Sequence, residues 1–225
     1  MLQPPAMPAL KGTLTYARFY VEGEPPDDFR ERFMRSIRLR VMRPLEPDDE
    51  DLERSGWTRV GDPFGLDLGY DDVFYGENVV LSLRTDRWQI PGPVLKRHVK
   101  EAEEAYLQKK GRERLSRKEK AELKLLVAKK LRRQTNPRTR AVDLAWSLED
   151  GLVRFFSHAD KPAAVMTELF VKTFGLKLVP ESPYTLAERL GLDKAQARAW
   201  QGLEPTMLGD GDADRDEAAE EEEES

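Results

Sequence analysis

The chain reads as an α+β protein, with antiparallel sheet segments, a long basic helical hairpin inserted between them, and an acidic C-terminal tail that reads as disordered. Three observations predict this class. Apolar and polar residues alternate over 13–21, 79–85 and 141–148, the period of strands with a buried face. Between the second and third of these runs, residues 91–140 follow helical spacing instead. Finally, Asp150-Gly151 links the third run to an apolar return over 152–157, a hairpin signal.

Taken in order, residues 1–12 hold three prolines and form a lead-in before the first strand. In that strand Thr15, Ala17, Phe19 and Val21 share one face. Pro26-Asp27-Asp28 opens a helix, and Phe29, Phe33, Ile37 and Val41 recur every four residues, so the spacing predicts a helix that ends near Pro44. Glu46 to Glu53 packs six acids into eight residues. It lacks the spacing of a calcium loop, which favours a helix-capping loop over a cation site. A short strand is expected around Trp57 over 56–60, a loop over 62–76, and a strand with Val79, Leu81 and Leu83 on one face.

Pro91-Gly92-Pro93 stops that strand and starts a helix whose apolar seam is Leu95, Val99, Ala102 and Tyr106. Gly111 breaks it. Ser116 then precedes Glu119 at capping-box spacing and opens a second helix with the seam Leu123, Val127 and Leu131. Two rods with thin seams and a glycine between them predict an αα-hairpin that projects or packs on one side only. Asn136-Pro137 ends it. The 141–148 strand carries Val142, Leu144, Trp146 and Leu148 on one face. A helix over 161–174 follows, with Met166, Leu169, Phe170 and Thr173 inward, then a strand over 176–179 and short helices over 185–190 and 194–200. The folded region thus spans 13–203. From Glu204 the chain holds eleven acids and one arginine, the composition of a disordered tail.

Composition excludes several functions. No cysteine is present, so disulfides, thiolate metal sites and a cysteine nucleophile are ruled out. No apolar run approaches a membrane span, and the N-terminus has no signal-peptide pattern, which makes a cytoplasmic protein the expectation. His98 and His158 have no second ligand at metal spacing, so no metal is expected. No phosphate-loop, dinucleotide or nucleophile-elbow motif occurs, and neither catalysis nor a cofactor is expected. Of the four tryptophans, Trp88 beside Arg84 and Arg87 is the one candidate for base stacking.

Charge distribution points elsewhere. Residues 91–140 hold seventeen Lys or Arg against six acids, a net +11 in a chain of net charge −5. Such a cluster on a rigid element is the footprint of a polyanion binder. A solvated face that serves only helix propensity is the alternative, although paired glutamates cannot absorb so large an excess. The densest phosphate-contact candidates are Lys118, Lys120, Lys124, Lys129, Lys130, Arg132 and Arg133. Lys118, Lys129 and Arg133 fall on one side of the second helix, and Lys120 and Lys124 on another.

Ile90-Pro91-Gly92-Pro93-Val94-Leu95-Lys96, the basic helical pair, the strand with Trp146, Asp150-Gly151-Leu152 and the run from Lys172 to Pro180 follow one another in an order that resembles the recombination-associated protein RdgC family. The similarity is clearest over 79–183 and extends more weakly back to Gly12. Past Pro183 the chain resembles a shortened member, with an acidic tail in place of a further folded part. The resemblance implies an α+β dimer that binds duplex DNA with little sequence preference, acts in DNA recombination at the nucleoid, and limits the RecA recombinase. The leading expectation is therefore a non-enzymatic DNA-binding protein. The alternative is a protein-binding module whose basic helices dock an acidic recombination or replication partner.

Overall fold

The computed structural model describes residues 15–202. The expected lead-in, Thr13 and Leu14 of the expected first strand, and the acidic tail lie outside the described residues. The described residues divide into two compact units, one through Glu181 and one from Ser182.

In chain order the first unit comprises β1 (Ala17–Glu22), α1 (Phe29–Arg38), β2 (Glu53–Thr58), α2 (Tyr70–Val73), β3 (Phe74–Tyr75), β4 (Asn78–Arg87), α3 (Gly92–Lys110), α4 (Arg117–Arg132), β5 (Arg138–Ser147), β6 (Leu152–Phe155), α5 (Asp160–Phe174) and β7 (Lys177–Pro180). The strands form one sheet in the order β2-β4-β5-β6-β1-β7, with β3 also paired to β4, and every pairing between them is antiparallel. The fold is α+β, as the sequence predicts.

Alternation sorts the sheet residues into two faces. One face carries Phe19 and Val21 of β1, Trp57 of β2, Leu81 and Leu83 of β4, and Leu144 and Trp146 of β5, all in the main core. Helices α1 and α5 cover it. Phe33 of α1 lies 4.9 Å from Phe174 of α5 and 5.6 Å from Trp146, ring centre to ring centre, and Phe170 lies 5.2 Å from Trp146. Edge and tilted contacts of this kind add to the burial of the rings themselves. The indole nitrogen of Trp57 donates to the Thr173 hydroxyl at 2.9 Å, so the polar edge of this buried ring is satisfied.

The opposite face is equally buried along β4 and, beyond Val80, polar through Ser82, Arg84 and Asp86. Arg84 and Asp86 form a bidentate ion pair, with Nε to Oδ1 at 2.8 Å, and are 4% and 0% exposed. The Thr139 hydroxyl donates to Asp86 at 2.8 Å, Arg84 donates to the Pro63 carbonyl, and the Phe64 ring sits 4.5 Å from the guanidinium carbon. Asp143 lies across from Ser82 on the same face. Burial raises the Asp143 carboxyl above its ordinary range, and the Ser82 hydroxyl opposes that shift.

Several boundaries differ from the sequence reading. Helix α1 ends at Arg38 because the Arg40 N–H turns back to the Ile37 carbonyl, and Val41 then bridges Trp57 in parallel. That crossing explains Gly56, where a Cβ would lie 2.5 Å from the Met42 Cα. Strand β1 begins at Ala17 and β2 at Glu53, and the expected loop over 62–76 contains α2 and β3. Strand β5 begins at Arg138, so Arg138 and Arg140 belong to the sheet and not to the basic helices.

The second unit holds α6 (Pro183–Arg189) and α7 (Lys194–Gln201). Each opens on a side-chain cap, the Ser182 hydroxyl accepting from the Thr185 N–H at 3.1 Å and the Asp193 carboxylate from the Ala195 and Gln196 N–H groups at 2.8 Å.

Candidate nucleic-acid interface

Helices α3 and α4 form the expected hairpin. No residue of α3 is buried, and its seam residues Leu95, Val99, Ala102 and Tyr106 are half-buried. In α4 the buried residues are Val127, Leu131 and Arg132, all near its C-terminal end. The hairpin therefore packs at its root, and its tip stands in solvent.

Local chemistry builds the tip. Gly111 adopts the left-handed conformation (φ 61°) that ends α3. Ser116 and Glu119 form a reciprocal capping box, the Ser116 N–H donating to the Glu119 carboxylate at 2.8 Å. That bond lowers the Glu119 carboxyl below its ordinary range, and Arg112 closes the turn by donating to Glu119 at 3.1 Å. Around this staple Lys109, Lys110, Arg114 and Arg117 are exposed, with no ion pair or hydrogen-bonded partner among the described residues. The tip is thus the densest group of unneutralised cations on the hairpin.

The root is a clamp. Arg133 donates to both carboxylate oxygens of Asp48 at 3.0 and 2.8 Å, and this holds the Asp48 carboxyl below its ordinary range. Lys129 donates to the Asp48 carbonyl at 3.1 Å, and Arg132 to the Asp49 carbonyl at 3.0 Å. The acidic loop is itself organised for this. Asp49 accepts from the Glu46 N–H, and Arg54 bridges Asp49 and Asp51 at 3.0 Å each. The loop over 46–53 thus serves as a socket for the α4 root through the Asp48 carboxylate and the Asp48 and Asp49 carbonyls, and no metal-ligating cluster occurs among the described residues.

The seven contact candidates therefore divide. Arg132 is 7% exposed and turned toward the loop, so it is unavailable to a phosphate. Lys129 and Arg133 hold the same loop. Lys120 stands 3.8 Å from Glu103 of α3, and Lys118 stands 4.0 Å from Glu122. Lys124 is exposed and Lys130 is exposed, and neither has a partner among the described residues. Lys124 and Lys130 thus share with the tip cations the lack of a partner, unlike their five clamped or paired neighbours. Trp88 is 7% exposed and belongs to the interior, so the base-stacking expectation is corrected. His98 lies 3.1 Å from Glu101 on the surface of α3.

The tip cluster was legible in principle, since Lys109, Lys110, Arg114 and Arg117 flank a predicted glycine break, where no seam can draw side chains inward. Among the described residues no helix is long and apolar enough to cross a membrane. Comparison of the chain with protein-family models and with curated proteins finds no match.

Proposed function

We propose that this protein binds DNA without sequence preference, using the exposed cations of the α3–α4 hairpin to neutralise backbone phosphates, and performs no chemistry on it. The observation that carries this reading is a projecting hairpin whose tip cations lack carboxylate partners while Lys129, Arg132 and Arg133 at its root are clamped. Clamped cations at the base and open ones at the tip suit a rod that presents charge to a phosphate backbone. The resemblance to the RdgC family supports the same reading and extends it to a homodimer at the nucleoid that limits RecA.

Anisotropy titrations on duplex, single-stranded and tailed DNA at several salt concentrations test this. With about six phosphates neutralised, log K falls with log salt at a slope of roughly −5. Lys124→Gln with Lys130→Gln reduces that slope by about 2, uniformly across sequences. A slope near zero sinks the proposal. The exposed Leu125 and Leu126, 61% and 64% accessible on α4, favour a second reading in which the hairpin docks an acidic recombination or replication partner. Under that reading DNA retention is weak, and Leu126→Glu abolishes co-purification of the partner.

A further inference from the structure

Away from the hairpin, the core face of the sheet runs out from under α5 and turns basic. The alternation that places Val142, Leu144 and Trp146 in the core places Arg140 and Arg138 on the same face of β5, one and two steps beyond Val142. On β4 the same face continues from Leu83 to Thr85 and Arg87. The register sets Arg87 between Glu53 of β2 and Arg138 of β5, and Thr85 opposite Arg140. Lys161, in the first turn of α5, closes the other side. Between them lies a cavity of about 390 Å³ with Leu83, Val142, Pro162 and Val165 as its apolar wall.

Four cations and one carboxylate line this cavity. Glu53 pairs with Lys161 at 2.8 Å and lies 3.6 Å from Arg87. Arg138 and Arg140 have no ion pair among the described residues. Arg87 and Arg138 sit directly opposite each other, and like charges in that position destabilise a sheet. An anion bound between them relieves this repulsion. The guanidinium groups, which offer paired donors, the Thr85 hydroxyl and the Gln89 amide suit a multiply charged oxyanion. The volume exceeds that of inorganic phosphate and falls in the range of small-ligand pockets, and the apolar wall gives a place for an attached ring.

We propose that this cavity binds a phosphorylated nucleoside, the phosphoryl group held by Arg87, Arg138, Arg140 and Lys161 and the base or sugar against Val142 and Val165. A free nucleotide and the 5′-phosphorylated end of a strand share that chemistry. Because the site uses none of the hairpin cations, it stands or falls independently of the DNA-binding proposal.

Calorimetric titration of the full chain with 5′-AMP at constant ionic strength tests it. The expected result is saturable one-to-one binding, no binding of adenosine, and a loss of at least about tenfold in Arg138→Gln with Arg140→Gln. Lys161→Gln, on a different element, loses affinity in the same direction and decides the matter if the arginine variant does not fold. Equal behaviour of 5′-AMP and adenosine overturns the proposal. So does wild-type affinity for 5′-AMP in a folded variant. A 5′-phosphorylated oligonucleotide that binds more tightly than both 5′-AMP and its 5′-hydroxyl counterpart identifies the source as a strand end, and otherwise the source is the free nucleotide.

Discussion

Arg132→Ala separates a clamp from a phosphate contact in one variant. Arg132 as a whole is 7% exposed, its guanidinium donates to the Asp49 carbonyl at 3.0 Å, and it is buried with Val127 and Leu131 at the root of α4. A hydrogen bond from a charged donor contributes about 1.5–3 kcal/mol, and loss of the packed stem adds to that. Total destabilisation of roughly 2–4 kcal/mol corresponds to a fall in Tm of about 5–12 °C for a chain of this length. Differential scanning fluorimetry reads the fall. Below the new melting temperature, salt titration of DNA binding reads the other half, because a clamp residue leaves the slope intact whereas a phosphate contact lowers it by about 1. An unchanged Tm with a reduced slope would refute the division of the hairpin into anchored and open cations.

Three further outcomes follow from the sheet. Asp86→Ala leaves the Arg84 charge buried without its partner, and urea unfolding should show a loss of about 3–5 kcal/mol. Gly56→Ala forces a Cβ against the Met42 backbone, and the same measurement should show a loss of about 1–3 kcal/mol, with no loss falsifying the chain crossing at Val41. For Asp143 the sign runs opposite to that of a paired carboxylate. Its folded pKa lies above the ordinary 3.8, so between those two values the native state binds more protons and stability falls as pH rises. Asp143→Asn should flatten the fall of the urea midpoint as pH rises above 3.8, and an unaltered profile would show that Asp143 does not titrate there.

Periodicity made most of the sheet legible, because β1, β4 and β5 each bury one face and their side chains alternate without interruption through Phe19, Leu83 and Trp146. It misled where one pattern continued through a change of backbone. Val41 keeps the four-residue spacing of Phe33 and Ile37, yet it reaches the core from a bridge to Trp57 and not from α1. Arg138 and Arg140 look like the end of a basic helical run, since exposed arginines carry no strand signal until the register places them beside Arg87 and Thr85. The hairpin itself was readable from its glycine and capping box. Its clamp was not, because two of the contacts run from Lys129 and Arg132 to backbone carbonyls more than eighty positions away, and any residue type supplies a carbonyl.

The unequal burial of the three root contacts has a mechanical result. Arg133 and Asp48 are largely open to solvent, with side chains 64% and 58% accessible, whereas Arg132 is shielded. Dissolved ions weaken the first attachment more than the second, since salt screens an ion pair open to water far more than a buried contact. Raising ionic strength therefore slackens one guy-line while the pivot stays fixed, and the rod gains swing before it comes away. If the hairpin binds DNA as proposed, a salt series reads counterion release at the far end together with stiffness at the near end. Arg133→Gln, which cuts the guy-line in advance, isolates the first of these.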